Sequence, residues 1–155
     1  MMTAADFMIT DVISVAPDAS IRDLLLLFAT HKVSGVPVLD STRRLKGMVT
    51  VDDVLRHLRP HTSHTLDMGA FMSFYVRENT LPDRMRELIA RPVSDVMTTG
   101  RLTVVKPDTE LADIAEIFGE RRFKKLPVVN DAHTVVGVVS RGDLTRYIVR
   151  ELLKD

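Results

Sequence analysis

Cysteine is absent from the 155 residues. That removes disulfides, thiolate metal sites and cysteine nucleophiles together, and it suits a reducing cytosol. Net charge is missing too. Lys+Arg and Asp+Glu both number 21, so no overall electrostatic footprint argues for DNA, RNA or an anionic membrane. Long apolar runs are lacking: the longest, Leu24 to Ala29, is far short of the ~20 residues that span a bilayer. The N-terminus carries Asp6 and Asp11 where a secretion signal would carry positive charge. No nucleophile with a base, no paired acid and base and no Walker loop is found. The expectation is a cytoplasmic protein that is not an enzyme, does not insert into membranes and has no nucleic-acid partner. A chain of this length forms one compact core or two half-sized units pressed together, since such units alone bury too little surface.

What is present is a repeat at an offset of 90 residues. Val15, Pro17, Asp18, Asp23, Phe28, Pro37, Val38, Gly47, Val49, Asp53 and Arg56 recur as Val105, Pro107, Asp108, Asp113, Phe118, Pro127, Val128, Gly137, Val139, Asp143 and Arg146. The positions between them are mostly like for like, such as Leu24 with Ile114 and Thr50 with Ser140. A duplication maintained at one fixed spacing without a gap is the signature of two copies of one supersecondary unit.

Each copy reads as strand, helix, strand, strand, helix. Ile13–Ala16 and Thr103–Lys106 are short β-prone runs closed by Pro17 and Pro107, which cannot continue a central strand. Ser20-x-x-Asp23 resembles a capping box, and Leu24, Leu27 and Phe28 recur at helical spacing, as do Ile114, Ile117 and Phe118. Val36–Leu39 with Lys46–Val49, and Leu126–Val129 with Val136–Val139, predict hairpins around the turn-forming Asp40-Ser41-Thr42 and Asn130–His133. Thr50-x-x-Asp53 and Ser140-x-x-Asp143 then open a last helix in each copy. The fold class is α+β, with a first domain over 5–58, an inter-repeat segment over 59–90 and a second domain over 91–152.

The inter-repeat segment has no counterpart. Pro60 ends the preceding helix, and Leu81–Ile89 reads as helical from Pro82 onward. The cluster Phe71, Met72, Phe74, Tyr75 is too apolar for a free linker and is expected to pack on the module or at a dimer contact; a lid or a partner-docking surface is the alternative. His57, His61 and His64 have a spacing that metal ligands on a helix use, and Asp67 could add a carboxylate, but Pro60 spoils the helix that would align them. No metal site is expected.

These features together resemble the cystathionine-beta-synthase (CBS) domain family, over nearly the whole chain. The resemblance rests on Pro17 and Pro107, on Ser34-Gly35-Val36-Pro37-Val38 and Lys125-Leu126-Pro127-Val128-Val129, and above all on Gly47–Asp53 and Gly137–Asp143. Asp95-Val96-Met97-Thr98 is similar to the family's usual domain entrance, and Asp6-Phe7-Met8 is a looser version. The resemblance implies two β-α-β-β-α repeats packed into one pseudo-two-fold unit (a Bateman module) with two clefts, commonly a homodimer. It implies an adenosyl ligand such as AMP, ADP or ATP, with S-adenosylmethionine or NAD as further candidates, and regulation in trans of an enzyme or transporter that the sequence does not name.

The residues suit that ligand. A helix start offers unpaired N–H groups to a phosphate, and the Thr50 or Ser140 hydroxyl adds a donor. The Asp53 or Asp143 carboxylate can accept from ribose hydroxyls. Val36-Pro37 and Leu126-Pro127, beside Ser14 and Thr103, would form the apolar slot for adenine. The first cleft is thus expected from Ser14, Ser34, Gly35, Val36, Pro37, Thr50 and Asp53. The second is expected from Thr103, Lys124, Lys125, Leu126, Pro127, Ser140, Arg141 and Asp143. Because Arg121-Arg122-Phe123-Lys124-Lys125 lies in the second repeat and Asp52 adds negative charge in the first, a phosphorylated ligand is expected to prefer the second cleft. Ser/Thr-x-x-Asp is equally the pattern of an ordinary helix cap. The contrasting reading is therefore a structural dimerisation module with vestigial clefts.

Overall fold

The computed structural model describes residues 2–59, 63–67, 73–77, 80–120 and 124–154, with 63–67 and 73–77 described as backbone. A one-turn helix α1 (Ala4–Phe7) precedes the first repeat, which runs α2 (Ile21–His31), β1 (Gly35–Leu39), β2 (Leu45–Thr50) and α3 (Val51–Arg56). The middle segment holds β3 (Ser63–Asp67), β4 (Ser73–Arg77) and α4 (Leu81–Ile89). The second repeat runs α5 (Leu111–Glu120), β5 (Lys125–Val129), β6 (Val135–Ser140) and α6 (Arg141–Leu152).

Local chemistry explains the elements. Ser20 caps α2, its Oγ accepting from the Asp23 N–H at 3.1 Å. Both hairpins close on the same turn. Asp40 Oδ1 accepts from the N–H groups of Thr42 and Arg44 at 2.9 Å, and Asn130 Oδ1 accepts from Ala132 and Thr134 at 3.0 Å. In each turn one residue, Arg43 or His133, takes the left-handed conformation. The two turns also meet, with the Val135 N–H donating to the Arg43 carbonyl at 2.9 Å.

The strands expected at Ile13–Ala16 and Thr103–Lys106 are reduced to a single parallel bridge each, Val15 with Val38 and Val105 with Val128. The cause is proline on both sides. Val15 donates to Pro37 O at 3.2 Å and accepts from Leu39 N–H at 2.9 Å. The next rungs would need N–H groups from Pro37 and Pro17, which have none. Pro127 and Pro107 truncate the second copy in the same way.

Two apolar cores result, built from equivalent residues. Leu24, Phe28, Val36, Val38, Val49 and Val54 form the first, and Ile114, Phe118, Leu126, Val128, Val139 and Leu144 take the same places in the second. Each such side chain removed from water contributes on the order of 1.5–3 kcal/mol. Neither core is completed by its own repeat alone. Leu88, Val93 and Val96 enter the first, whereas Ala4, Phe7 and Met8 pack on the second. Backbone bonds hold this exchange: Ala4 N–H to Thr109 O, Leu111 N–H to Met2 O, Val93 N–H to Ala19 O and Ser94 N–H to Pro17 O, all 2.8–2.9 Å.

The middle segment is more structured than a single helix. β3 and β4 pair antiparallel, Ser63 opposite Arg77. Pro82 sits in the first turn of α4, as the sequence predicts, and Thr80 caps the helix. The side chains of the Phe71–Tyr75 cluster and of His61 and His64 lie outside the described residues, as do Arg121, Arg122 and Phe123. His57 turns its Nδ1 to the Asp53 carbonyl, 2.8 Å away. Among the described residues no group of His, Asp or Glu could hold a metal ion, and no helix is long and apolar enough to cross a membrane.

Candidate functional site

Where a repeat's first hairpin strand starts beside its last helix, the backbone is pinned. The Val51 N–H donates to Ser34 O at 2.9 Å and the Arg141 N–H to Lys124 O at 3.1 Å. Gly35 therefore faces Thr50 across the first hairpin, and Lys125 faces Ser140 across the second. Thr50 and Asp53 form a reciprocal capping box. Thr50 Oγ1 accepts from the Asp53 N–H at 3.3 Å, while Asp53 Oδ2 accepts from the Thr50 N–H at 2.8 Å and from its hydroxyl at 3.1 Å. Asp53 is 4% exposed, and Arg56 donates to its Oδ1. In the second repeat the Ser140 hydroxyl donates to Asp143 Oδ2 at 2.6 Å and accepts from the Asp143 N–H at 3.1 Å; Arg146 donates to Oδ1 at 2.6 Å. Both motifs cap their helices, the first as a full capping box and the second through the Ser140 hydroxyl alone.

Beside the first cap lies a cavity of about 340 Å³. Its wall takes Ser34, Gly35, Thr50, Asp52 and Asp53 from the first repeat. Thr103, Lys124, Lys125 and Pro127 come from the second, and Thr98, Arg101 and Leu102 from the entrance to that repeat. The sequence reading groups the clefts by repeat, whereas the wall of this cavity is drawn from both. The basic residues of the second copy line the cavity built on the hydroxyl and carboxylate of the first. The reason is the packing of the repeats around a pseudo-two-fold axis, which brings the first residues of β1 and β5 together. Lys125 Nζ donates to Gly35 O at 3.0 Å, across 90 residues of sequence.

Several expected site residues lie elsewhere. Val36 and Leu126 are fully buried in the two cores, because alternation along a strand turns them away from the face shared by Gly35, Pro37 and Lys125, Pro127. Pro37 is buried, and Ser14 is half-buried and outside the cavity wall. Ser140, Arg141 and Asp143 do not line the cavity either; Arg141 donates to Phe118 O at 3.1 Å. Sequence reasoning missed Thr98, Arg101 and Leu102. Thr98 reaches Asp53 Oδ1 at 3.5 Å through its hydroxyl. The signal was available in the entrance motif Asp95–Thr98, though its spacing does not say which repeat it touches.

The cavity wall carries charge of both signs, with Arg101, Lys124 and Lys125 as cations and Asp52 and Asp53 as carboxylates. Burial pushes the Lys125 ammonium below its ordinary range, opposed by the nearby Asp143 charge. Such a space, with hydroxyls, a buried carboxylate, three cations and apolar Met48, Leu102 and Pro127, can hold a ligand that is flat and apolar at one end and anionic at the other.

The family model of the CBS domain matches residues 4–60 and 93–150. The chain belongs to the CBS domain family. As a CBS pair it is similar to protein MJ1426 of Methanocaldococcus jannaschii, 28% identical over 88% of this chain and 86% of that protein. It is 32% identical to the chloroplastic CBS domain-containing protein CBSX2 of Arabidopsis thaliana, over 85% of this chain and 56% of that protein. The crystal structure of CBSX2 in complex with AMP superimposes with a TM-score of 0.74 at 28% identity, covering 98% of this chain and 99% of that one. Inosine-5'-monophosphate dehydrogenase of Aquifex aeolicus matches over 90% of this chain, but this is 23% of the enzyme. The similarity therefore brings no enzymatic activity with it.

Proposed function

We propose that this CBS pair is a sensor that binds a phosphorylated adenosyl ligand of the AMP, ADP or ATP type in the cavity between Asp53 and Lys124, and acts on a partner protein in trans. The observation that carries the reading is the joining, across the two repeats, of the Thr50 and Asp53 pair with Arg101, Lys124 and Lys125. The AMP complex of CBSX2 supports it. Ribose hydroxyls would donate to Asp53 Oδ1, competing with Thr98 and with Arg56, whose side chain is more than half exposed and can turn to water. Phosphate is attracted by the three cations, and the lysines supply charge without fixing phosphate number. S-adenosylmethionine, with a sulfonium cation in place of phosphate, is disfavoured by the same charges. A cytoplasmic location and a homodimer are part of the proposal. Val149, Leu152 and Leu153 at the end of α6 are exposed apolar residues that suit a contact between copies.

Thermal unfolding with AMP, ADP, ATP, S-adenosylmethionine and NAD tests the reading. A ligand selective for the folded state stabilises it by mass action, about 2.7 kcal/mol at a concentration 100 times Kd. The expected result is a rise in Tm with the phosphorylated nucleotides that exceeds the rise with S-adenosylmethionine. If none acts at millimolar concentration the sensor reading falls, and the structural dimerisation module takes its place.

A further inference from the structure

We propose that Asp52 sets the number of phosphates the cavity accepts, favouring a nucleoside monophosphate over the triphosphate. The inference rests on the proposed nucleotide reading and narrows it. The wall cations Arg101, Lys124 and Lys125 attract phosphate, and the lysines do so without a preference for chain length. Selection by length then calls for a charge of the opposite sign, and the wall holds two carboxylates, Asp52 and Asp53. They differ in kind. Asp53 is buried, and its charge is met by Arg56 and by the Thr50 N–H. Asp52 is exposed, and among the described residues its carboxylate has no hydrogen bond or ion pair.

The charges balance for a monophosphate. Its phosphate bears about two negative charges at neutral pH, and with the Asp52 carboxylate these match the three wall cations. Each further phosphoryl group adds negative charge for which the wall has no cation left, in a space that also holds the unneutralised Asp52. Asp52 stands on the border of the cavity, because it also lines an open hollow with Leu55, Arg56 and Arg59 on α3 and just beyond it. A phosphate chain leaving the cavity on that side has to pass it. The fold does not require a carboxylate here. The cap of α3 is made by Thr50 and Asp53, and the second repeat has Gly142 at the equivalent position.

Isothermal titration of the full chain with AMP, ADP and ATP, in EDTA and again in magnesium, decides the matter. The wild type in EDTA is expected to bind AMP more tightly than ADP and ADP more tightly than ATP. In Asp52→Asn the preference for AMP over ATP should shrink by about three- to tenfold, whereas Asp52→Glu, which keeps the charge, should retain it. High salt should narrow the difference between the wild type and Asp52→Asn. A purely structural role at the start of α3 would instead shift all three affinities together and leave their ratios alone. Unchanged ratios in folded Asp52→Asn and Asp52→Ala, or a wild type that prefers ATP in EDTA, would overturn the role of Asp52 while leaving the nucleotide reading standing. Weaker ATP binding by Asp52→Asn in magnesium would do the same, since Asp52 would then hold the nucleotide's metal. No uptake of any nucleotide by the wild type would overturn both.

Discussion

Thr98 and Met48 exchange both of their backbone hydrogen bonds, the Met48 N–H donating to Thr98 O at 3.0 Å and the Thr98 N–H to Met48 O at 2.8 Å. The entrance of the second repeat is thereby stitched to the hairpin of the first, and Ile9 makes the same exchange with Val138, both bonds 2.9 Å. This reciprocity explains why the repeat keeps Gly47 and Gly137. A Cβ on Gly47 would lie 2.8 Å from Thr98 O, and one on Gly137 2.6 Å from Met8 Sδ and 3.1 Å from Ile9 O. Gly47→Ala is expected to cost roughly 1–3 kcal/mol, the range for overpacking. Gly137→Ala should cost less, because the Met8 thioether can move aside and the Thr98 carbonyl cannot. Urea unfolding checks this as a lowered midpoint at constant m.

The cross-repeat cavity reverses the ranking of the two carboxylates. Asp53→Ala is expected to abolish the AMP-induced rise in Tm, and Asp143→Ala to preserve it. Asp53→Ala also loses the bond from the Thr50 N–H, which has no counterpart at Asp143, so its unliganded Tm should fall further than that of Asp143→Ala. Loss of the shift in Asp143→Ala alone would return the ligand to the second cleft.

The turn residue Asp40 predicts a dependence on acid. Its carboxyl is held below the ordinary value of 3.8, chiefly by the hydroxyl of Thr42 and then by the Arg44 N–H. A pKa lower in the folded than in the unfolded chain contributes stability that is full above 3.8 and is lost as pH falls through the depressed value. Asn130 makes the same pair of backbone bonds in the second turn with no charge. Asp40→Asn should therefore keep the turn and flatten the stability profile below pH 3.8, as read from thermal unfolding between about pH 2 and 5.

Arg84 ties α4 to the first repeat. It is 6% exposed, and its Nε–H donates to the carbonyl of Leu58 at 2.8 Å. Arg84→Ala leaves that acceptor without this partner and is expected to cost about 1–3 kcal/mol. Arg86→Ala, two residues along the same helix and exposed, should change stability by less than about 0.5 kcal/mol. Equal effects in chemical unfolding would contradict the docking role.

The sequence by itself determined the helices and hairpins of the two repeats, because their causes are local, but not the β3–β4 pair between them. Ser20, Thr50 and Thr80 cap the helices that follow them. Asp40 and Asn130 close the turns, prolines limit the first strands, and the offset of 90 announces two copies of one unit. Arg84 was not legible, since nothing nearby in sequence separates it from Arg86. Only the tertiary structure decided which side chains share a site. A repeat spacing records that two positions are equivalent, and says nothing of which copy each one faces. The pseudo-two-fold packing brings Lys124, Lys125 and Arg101 to Thr50 and Asp53, and Lys125 to its own equivalent, Gly35. Contacts across such an axis join residues far apart in the chain, and no local pattern carries that information.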